Sequence, residues 1–163
     1  MTDKTRILFV CLGNIVRSPL GEGLFRHHAE VAGLAEKYEV DSAGTGSYHV
    51  GESPDSRMRQ VAAEKGFTYD GRARQVQPGD FEDFDLIIAM DTTNQNNLVD
   101  MAQSKEQAAK VHLMRAYDPE GDPNDSVPDP YYGGIQGFHN TYDIVERSVK
   151  SLLEALEAGE VDL

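Results

Sequence analysis

The chain has 163 residues, enough for one domain around one core. With 28 acidic against 15 basic residues it carries a net charge of −13, a field that repels nucleic-acid phosphates and anionic lipid. No apolar run approaches the roughly 20 residues that cross a bilayer, Met1-Thr2-Asp3-Lys4 opens no secretory signal, and the lone cysteine excludes an internal disulfide or a zinc site built of thiolates. The expectation is one domain spanning residues 1–163, cytoplasmic and monomeric, without a nucleic-acid or membrane partner.

In chain order, Ile7-Leu8-Phe9-Val10 is an unbroken apolar run, the pattern of a strand covered on both faces, and it leads straight into Cys11. A short loop follows, and Arg17-Ser18-Pro19 reads as a helix start, with Ser18 as N-cap and Pro19 in the first turn. That helix is predicted from about Pro19 to Ala32, with Leu20, Leu24, Phe25, His28 and Val31 on its inner face and Gly33 as its stop. His27 and His28 sit mid-helix without a partner at metal-binding spacing and read as a surface and a partly buried side chain.

Tyr38–Ala43 is the second predicted strand. Residues 44–54 form a loop containing Tyr48 and His49, and Ser53-Pro54-Asp55 opens a helix that packs through Met58, Val61 and Ala62 and stops at Gly66. An extended piece near Arg72–Val76 and a helical turn at Gly79–Phe84 precede the apolar strand Leu86–Met90. Asp91-Thr92-Thr93 starts a helix to about Met101, and Val111–Leu113 is the last short strand. Residues 115–136 are a long loop of Asp, Pro and Gly, a length that is usually functional or disordered inside a compact domain. Phe138, Tyr142, Val145, Val149, Leu152 and Leu156 recur at helical spacing, the mark of a long amphipathic C-terminal helix. Strands alternating with helices predict a doubly wound α/β sandwich with its ligand at the carboxyl ends of the strands.

The loop between Cys11 and Arg17 carries the chemistry. Its backbone N–H groups can turn inward around a small anion above a helix N-terminus. A thiol placed there and beside a guanidinium is favoured as the nucleophilic thiolate. Arg17 offers a planar fork of donors to two phosphoryl oxygens. Gly13 permits close backbone approach, Asn14 tolerates a left-handed conformation, and the Ser18 hydroxyl is placed to bond the sulfur and improve it as a leaving group. Taken alone, a cysteine after an apolar strand is more often a small buried hydrophobe. The strand-to-helix setting is what favours the functional reading.

The run Val10-Cys11-Leu12-Gly13-Asn14-Ile15-Val16-Arg17-Ser18-Pro19 resembles the loop of the low-molecular-weight protein tyrosine phosphatases. Asp41-Ser42-Ala43-Gly44, Ala73-Arg74-Gln75, Met90-Asp91 and Asp129-Pro130-Tyr131-Tyr132 extend the resemblance along nearly the whole chain, in the family's order. It implies a three-layer sandwich: a four-stranded parallel sheet with helices on both faces and the phosphate-binding loop after strand 1. It implies Cys11 as nucleophile and Arg17 as phosphate binder, with Leu12, Gly13, Asn14, Ile15, Val16 and Ser18 completing the loop. Asp129, stiffened by flanking prolines, is implied as the acid that protonates a leaving oxygen and then activates water; Asp118-Pro119 and Asp122-Pro123 read as plain turns. Tyr48, Tyr131 and Tyr132 would wall a slot for a phenyl ring. Ser42 would support the loop, and Asp91 would orient Arg17. No cofactor and no metal is implied; the partners would be tyrosine-phosphorylated proteins and a cognate tyrosine kinase.

Two positions depart from that pattern. Val16 stands where many members have a second cysteine that protects the nucleophile, so peroxide is expected to carry Cys11 further along the oxidation ladder. Gly71 stands where several members have a histidine bonded to the loop Asn, which predicts a shorter supporting network. Three alternatives sit beside the main reading. Arsenate reductases coupled to thioredoxin share the loop but need two further cysteines that this chain lacks. Protein arginine phosphatases typically carry Thr in place of Ile15 and lack the paired tyrosines. A non-catalytic phosphotyrosine-binding module would be expected to lose Cys11 or Asp129.

Overall fold

The computed structural model describes residues 4–163. Its four strands, β1 (Thr5–Cys11), β2 (Tyr38–Gly44), β3 (Leu86–Ala89) and β4 (Val111–Leu113), form one parallel sheet in the order β2-β1-β3-β4. The order places β1 at the centre, paired with β2 from Thr5↔Tyr38 to Cys11↔Gly44 and with β3 from Ile7↔Leu86 to Val10↔Ala89. That position explains the apolar run: Ile7 to Val10 are all fully buried because both faces of the strand are covered.

The period of two along β1 splits the core. Ile7, Phe9 and Cys11 point toward α1 (Arg17–Val31), α2 (Ser56–Glu64) and α6 (Ile135–Glu157), meeting Leu24, Val61, Phe138 and Val149. Leu8 and Val10 point to the other face, where Phe81 of α3 (Asp80–Asp83) and Leu98 of α4 (Thr92–Met101) close a smaller cluster. Helices therefore cover both faces, and the expected three-layer sandwich is the fold. The short α5 (Lys105–Ala109) and 3-10 turns at Ala35–Lys37 and Met114–Tyr117 complete it.

The helix after the loop starts earlier than predicted. α1 begins at Arg17, Val16 occupies the N-cap position without a side-chain cap, and Ser18 lies inside the first turn. Ser18 cannot cap because its hydroxyl is used by Cys11 and Asn14. Val31, assigned to the inner face, is exposed at the end of that helix. Asp91 and Asp55 do cap their helices, accepting from the Asn94 and Arg57 backbone N–H groups at 2.7 and 2.8 Å. The strand ends, the α1 N-terminus and residues 118–134 meet at one end of the sheet, at the crevice where open α/β folds bind ligands.

Candidate active site

Strand β1 ends at Cys11, and the chain turns through residues 12–16 before entering α1. Asn14 makes the turn possible with φ 57°, the one non-glycine residue with positive φ among those described. Its side chain is saturated: Nδ2 donates to Ser18 Oγ (2.8 Å) and Ser42 Oγ (2.9 Å), and Oδ1 accepts from the Arg74 backbone N–H at 2.9 Å. Ser42 in turn donates to Glu22 Oε1 at 2.8 Å. Because the amide donates to both hydroxyls, the Ser18 hydrogen is left for Cys11 Sγ, 3.0 Å away, or the Ala43 carbonyl at 3.4 Å. The Ser18 backbone N–H also points at that sulfur, at 3.4 Å. The Ser18 hydroxyl and N–H therefore both sit against a thiol that is only 3% exposed.

Arg17 is fixed from behind. One terminal nitrogen, Nη1, donates to Asp91 Oδ2 (2.7 Å) and to the Val127 carbonyl (3.0 Å). Its Nη2 lies 3.5 Å from Asp129 Oδ2, and its Nε takes no protein acceptor among the described residues. The guanidinium is thus held by one edge while the other faces the space between Cys11 and Asp129. Asp91 performs two tasks at once, capping α4 with Oδ1 and gripping Arg17 with Oδ2.

A cavity of about 340 Å³ opens there, lined by Cys11, Leu12, Gly13, Ile15, Val16, Arg17, Tyr48, His49, Asp129, Tyr131 and Tyr132. Of the residues singled out in the sequence, Asn14, Ser18, Ser42 and Asp91 lie behind the wall rather than on it. Asp129 is 39% exposed at the side chain and accepts the Tyr131 N–H through Oδ1, leaving Oδ2 toward the cavity. Tyr131 is braced by Arg57, which donates to its carbonyl at 3.1 Å and stacks on its ring, with 5.2 Å to the centroid. Burial alone would raise the Asp55 carboxyl, but its hydrogen bonds and ion pair with Arg57 outweigh that and hold it below the ordinary range. Tyr132 packs edge-on against Tyr131 and is itself 97% exposed, so it forms rim rather than wall.

His49, which the sequence marks only as part of the 44–54 loop, belongs to the wall. Its ring sits 5.9 Å from that of Tyr131, with Nδ1 2.8 Å from Glu52. The His-x-x-Glu spacing was the available signal. The same ring explains Gly13, where an added Cβ would lie 2.9 Å from His49 Cδ2. Behind Asn14, where Gly71 offers no side chain, the donor to Oδ1 is the Arg74 backbone N–H. Arg74 is pinned for that purpose between Asp41 and Asp80.

The fold and the loop define a class: an α/β protein whose first strand delivers a thiol and a guanidinium to one anion-sized space. The family model for low molecular weight phosphotyrosine protein phosphatases matches residues 6–161, and the chain belongs to that family. It is 45% identical to a low molecular weight protein-tyrosine-phosphatase of Streptomyces coelicolor, over 93% of each chain. A crystal structure of a protein tyrosine phosphatase from Entamoeba histolytica superposes with a TM-score of 0.92 at 42% identity, covering 97% of this chain and all of the other. A Drosophila arginine phosphatase superposes with a TM-score of 0.85 at 32% identity, covering 93% of this chain and 97% of the other.

Proposed function

We propose that the protein hydrolyses phosphotyrosine in proteins, and small aryl phosphates, through a cysteinyl-phosphate intermediate. The observation that carries this reading is the convergence of Cys11, Arg17 and Asp129 on one cavity with aromatic walls. The Cys11 thiolate attacks phosphorus, forming an S–P bond as the P–O bond to the tyrosine breaks. Arg17 and the loop N–H groups hold the equatorial oxygens, where charge rests during transfer. A tyrosine oxygen has a pKa near 10, so it leaves readily only with a proton. Asp129 supplies that proton, and the phenol departs.

In the second step Asp129, now a carboxylate, takes a proton from water as the water oxygen attacks phosphorus. The S–P bond breaks, inorganic phosphate is released, and the electron pair returns to the Cys11 sulfur. Ser18 donates to that sulfur at both ends of the cycle, which lowers the cost of its departure as an anion. The phenyl ring fits between Tyr48 and Tyr131 with its phosphoryl group on the loop.

Phosphate release from matched phosphotyrosine, phosphoserine and phosphoarginine peptides in EDTA tests the reading. Phosphotyrosine is expected to be cleaved fastest, Cys11→Ser to abolish turnover, and Asp129→Ala to slow it at least about a hundredfold. Preference for phosphoarginine would move the protein to the activity named for its Drosophila neighbour. No turnover, with phosphate still bound, would make it a binding module.

A further inference from the structure

The segment that bears Asp129 is held by an ionic cluster remote from the cavity. Asp118 is completely buried at its side chain and accepts four N–H groups. Its Oδ1 takes Arg147 Nε and the Glu120 backbone N–H, each at 2.8 Å. Its Oδ2 takes Arg115 Nε at 3.0 Å and Arg147 Nη2 at 3.1 Å. Arg115 reaches onward with Nη1 to the Ser126 carbonyl, 3.3 Å away. From Ser126 the next residues are the ones the cavity uses: the Val127 carbonyl receives Arg17, and Asp129 follows two positions later. Gly121 is shaped to this path, since an added Cβ there would fall 2.6 Å from Arg115 Nη2.

We propose that Asp118, Arg115 and Arg147 act as positioning residues that aim Asp129 at the leaving oxygen. This rests on the assignment of Asp129 as the acid. The cluster joins the rigid α6 to both ends of the 118–126 segment, so its register sets where Val127 and Asp129 enter the site. Residues 126–128 are otherwise held by the buried Val127 side chain and by hydrogen bonds made one at a time: Thr92 N–H to Ser126 Oγ (3.1 Å), Val127 N–H to the Met90 carbonyl (2.7 Å), Arg17 Nη1 to the Val127 carbonyl (3.0 Å) and Thr141 to the Pro128 carbonyl (3.1 Å). Those bonds fix the backbone close to the sheet. They leave the descent of the chain toward them to the buried carboxylate and its two guanidinium partners, which offer several directed bonds instead of one.

A cluster that merely stabilises the fold would lower turnover of every substrate alike. A cluster that aims an acid lowers kcat/KM, which covers the steps up to departure of the leaving group, chiefly for substrates whose leaving group needs the proton; hydrolysis of the cysteinyl-phosphate is common to all of them. The experiment is a comparison of phenyl phosphate with p-nitrophenyl phosphate for the wild type, Asp118→Asn and Arg147→Lys, with Asp129→Ala as the benchmark. Asp118→Asn is expected to lower kcat/KM about tenfold on phenyl phosphate but only about twofold on p-nitrophenyl phosphate, a fraction of the roughly 10²–10⁴ that general acid catalysis supplies. Arg147→Lys keeps the charge and loses the paired bonds, so it should show the same pattern more weakly; it also decides the matter if Asp118→Asn fails to fold. Equal losses in kcat/KM on both substrates, or none, overturn the proposal. If Asp129→Ala shows no leaving-group dependence, the acid assignment itself falls and takes the positioning role with it.

Discussion

The two loops that build the site are held by opposite means. Apart from Arg17, which the Asp91 carboxylate grips, residues 11–18 are fixed by neutral groups: one Asn side chain, two hydroxyls and the Arg74 backbone N–H. Residues 118–132 are fixed by charges and rings, with Asp118 between two guanidinium groups and Arg57 stacked on Tyr131 and Phe138. The first loop must leave its N–H groups pointing at an anion, and neutral partners do that without adding a competing charge. The second carries a carboxylate that must change protonation state without moving, and strong directed contacts suit an anchor kept away from the proton being passed. The ionic anchors thus sit behind Arg17 and the acid segment, away from the N–H groups of the first loop.

Arg17→Lys should break the comparison most severely. A lysine ammonium cannot hold Asp91 and the Val127 carbonyl from one edge while presenting a second edge to phosphate. We expect kcat to fall roughly 10²–10³-fold, the range for losing one fixed donor to a developing oxyanion, with phosphate affinity weakened as well. Steady-state kinetics with phosphate as competitive inhibitor measure both. A loss below about fivefold would mean that the guanidinium is held for structure rather than for transfer.

Asn14→Ala comes next. It removes three hydrogen bonds and leaves a residue without a polar side chain at φ 57°. Each bond contributes about 1 kcal/mol and the left-handed backbone costs about another 1–2 kcal/mol, so urea denaturation should show a loss of about 4–5 kcal/mol. Turnover should fall about ten- to a hundredfold, because Ser18 loses the partner that frees its hydrogen for the sulfur. Asn14→Gly, which removes the same bonds but not the backbone fit, should recover part of the stability and none of the rate.

What could be read from the sequence follows the same division. The first loop is contiguous, so Cys11, Asn14, Arg17 and Ser18 could be named from one run of residues, and the buried strand before it was plain from four apolar side chains. The helical rhythm of apolar positions from Phe138 to Leu156 in α6 was equally legible, as were the helix starts near Asp55 and Asp91. The second loop was not. Asp118 read as half of an Asp-Pro turn because nothing local marks a partner on α6, and the Arg147 pairing exists only once the helix packs back over the loop. His49 escaped for a related reason: its wall position depends on Tyr131, from a segment far along the chain. The misplaced start of α1 has a different origin, since a serine before a proline is a sound capping signal until a thiol competes for its hydroxyl.

The smallest effect is the one most specific to the second loop. Burial alone would raise the Asp118 carboxyl, but hydrogen bonds from Arg147 and the Glu120 N–H, with the charges of Arg147 and Arg115, outweigh it and hold the group below the usual carboxylate range. A carboxyl depressed in the native state binds its proton more weakly than in the unfolded chain, so folding is favoured wherever the unfolded form would begin to protonate. Its contribution is therefore complete above roughly pH 4 and is lost as pH falls through the lower native value. Breaking a buried ionic contact costs about 3 kcal/mol, which sets the stability gap expected between wild type and Asp118→Asn at neutral pH. That gap should narrow below about pH 4, while the gap between wild type and Asn14→Ala, which involves no titrating group, should stay level. Urea denaturation of the three proteins from neutral to acid pH would show it. A constant gap for Asp118→Asn would mean that the two arginines, and not the charge between them, hold the acid loop.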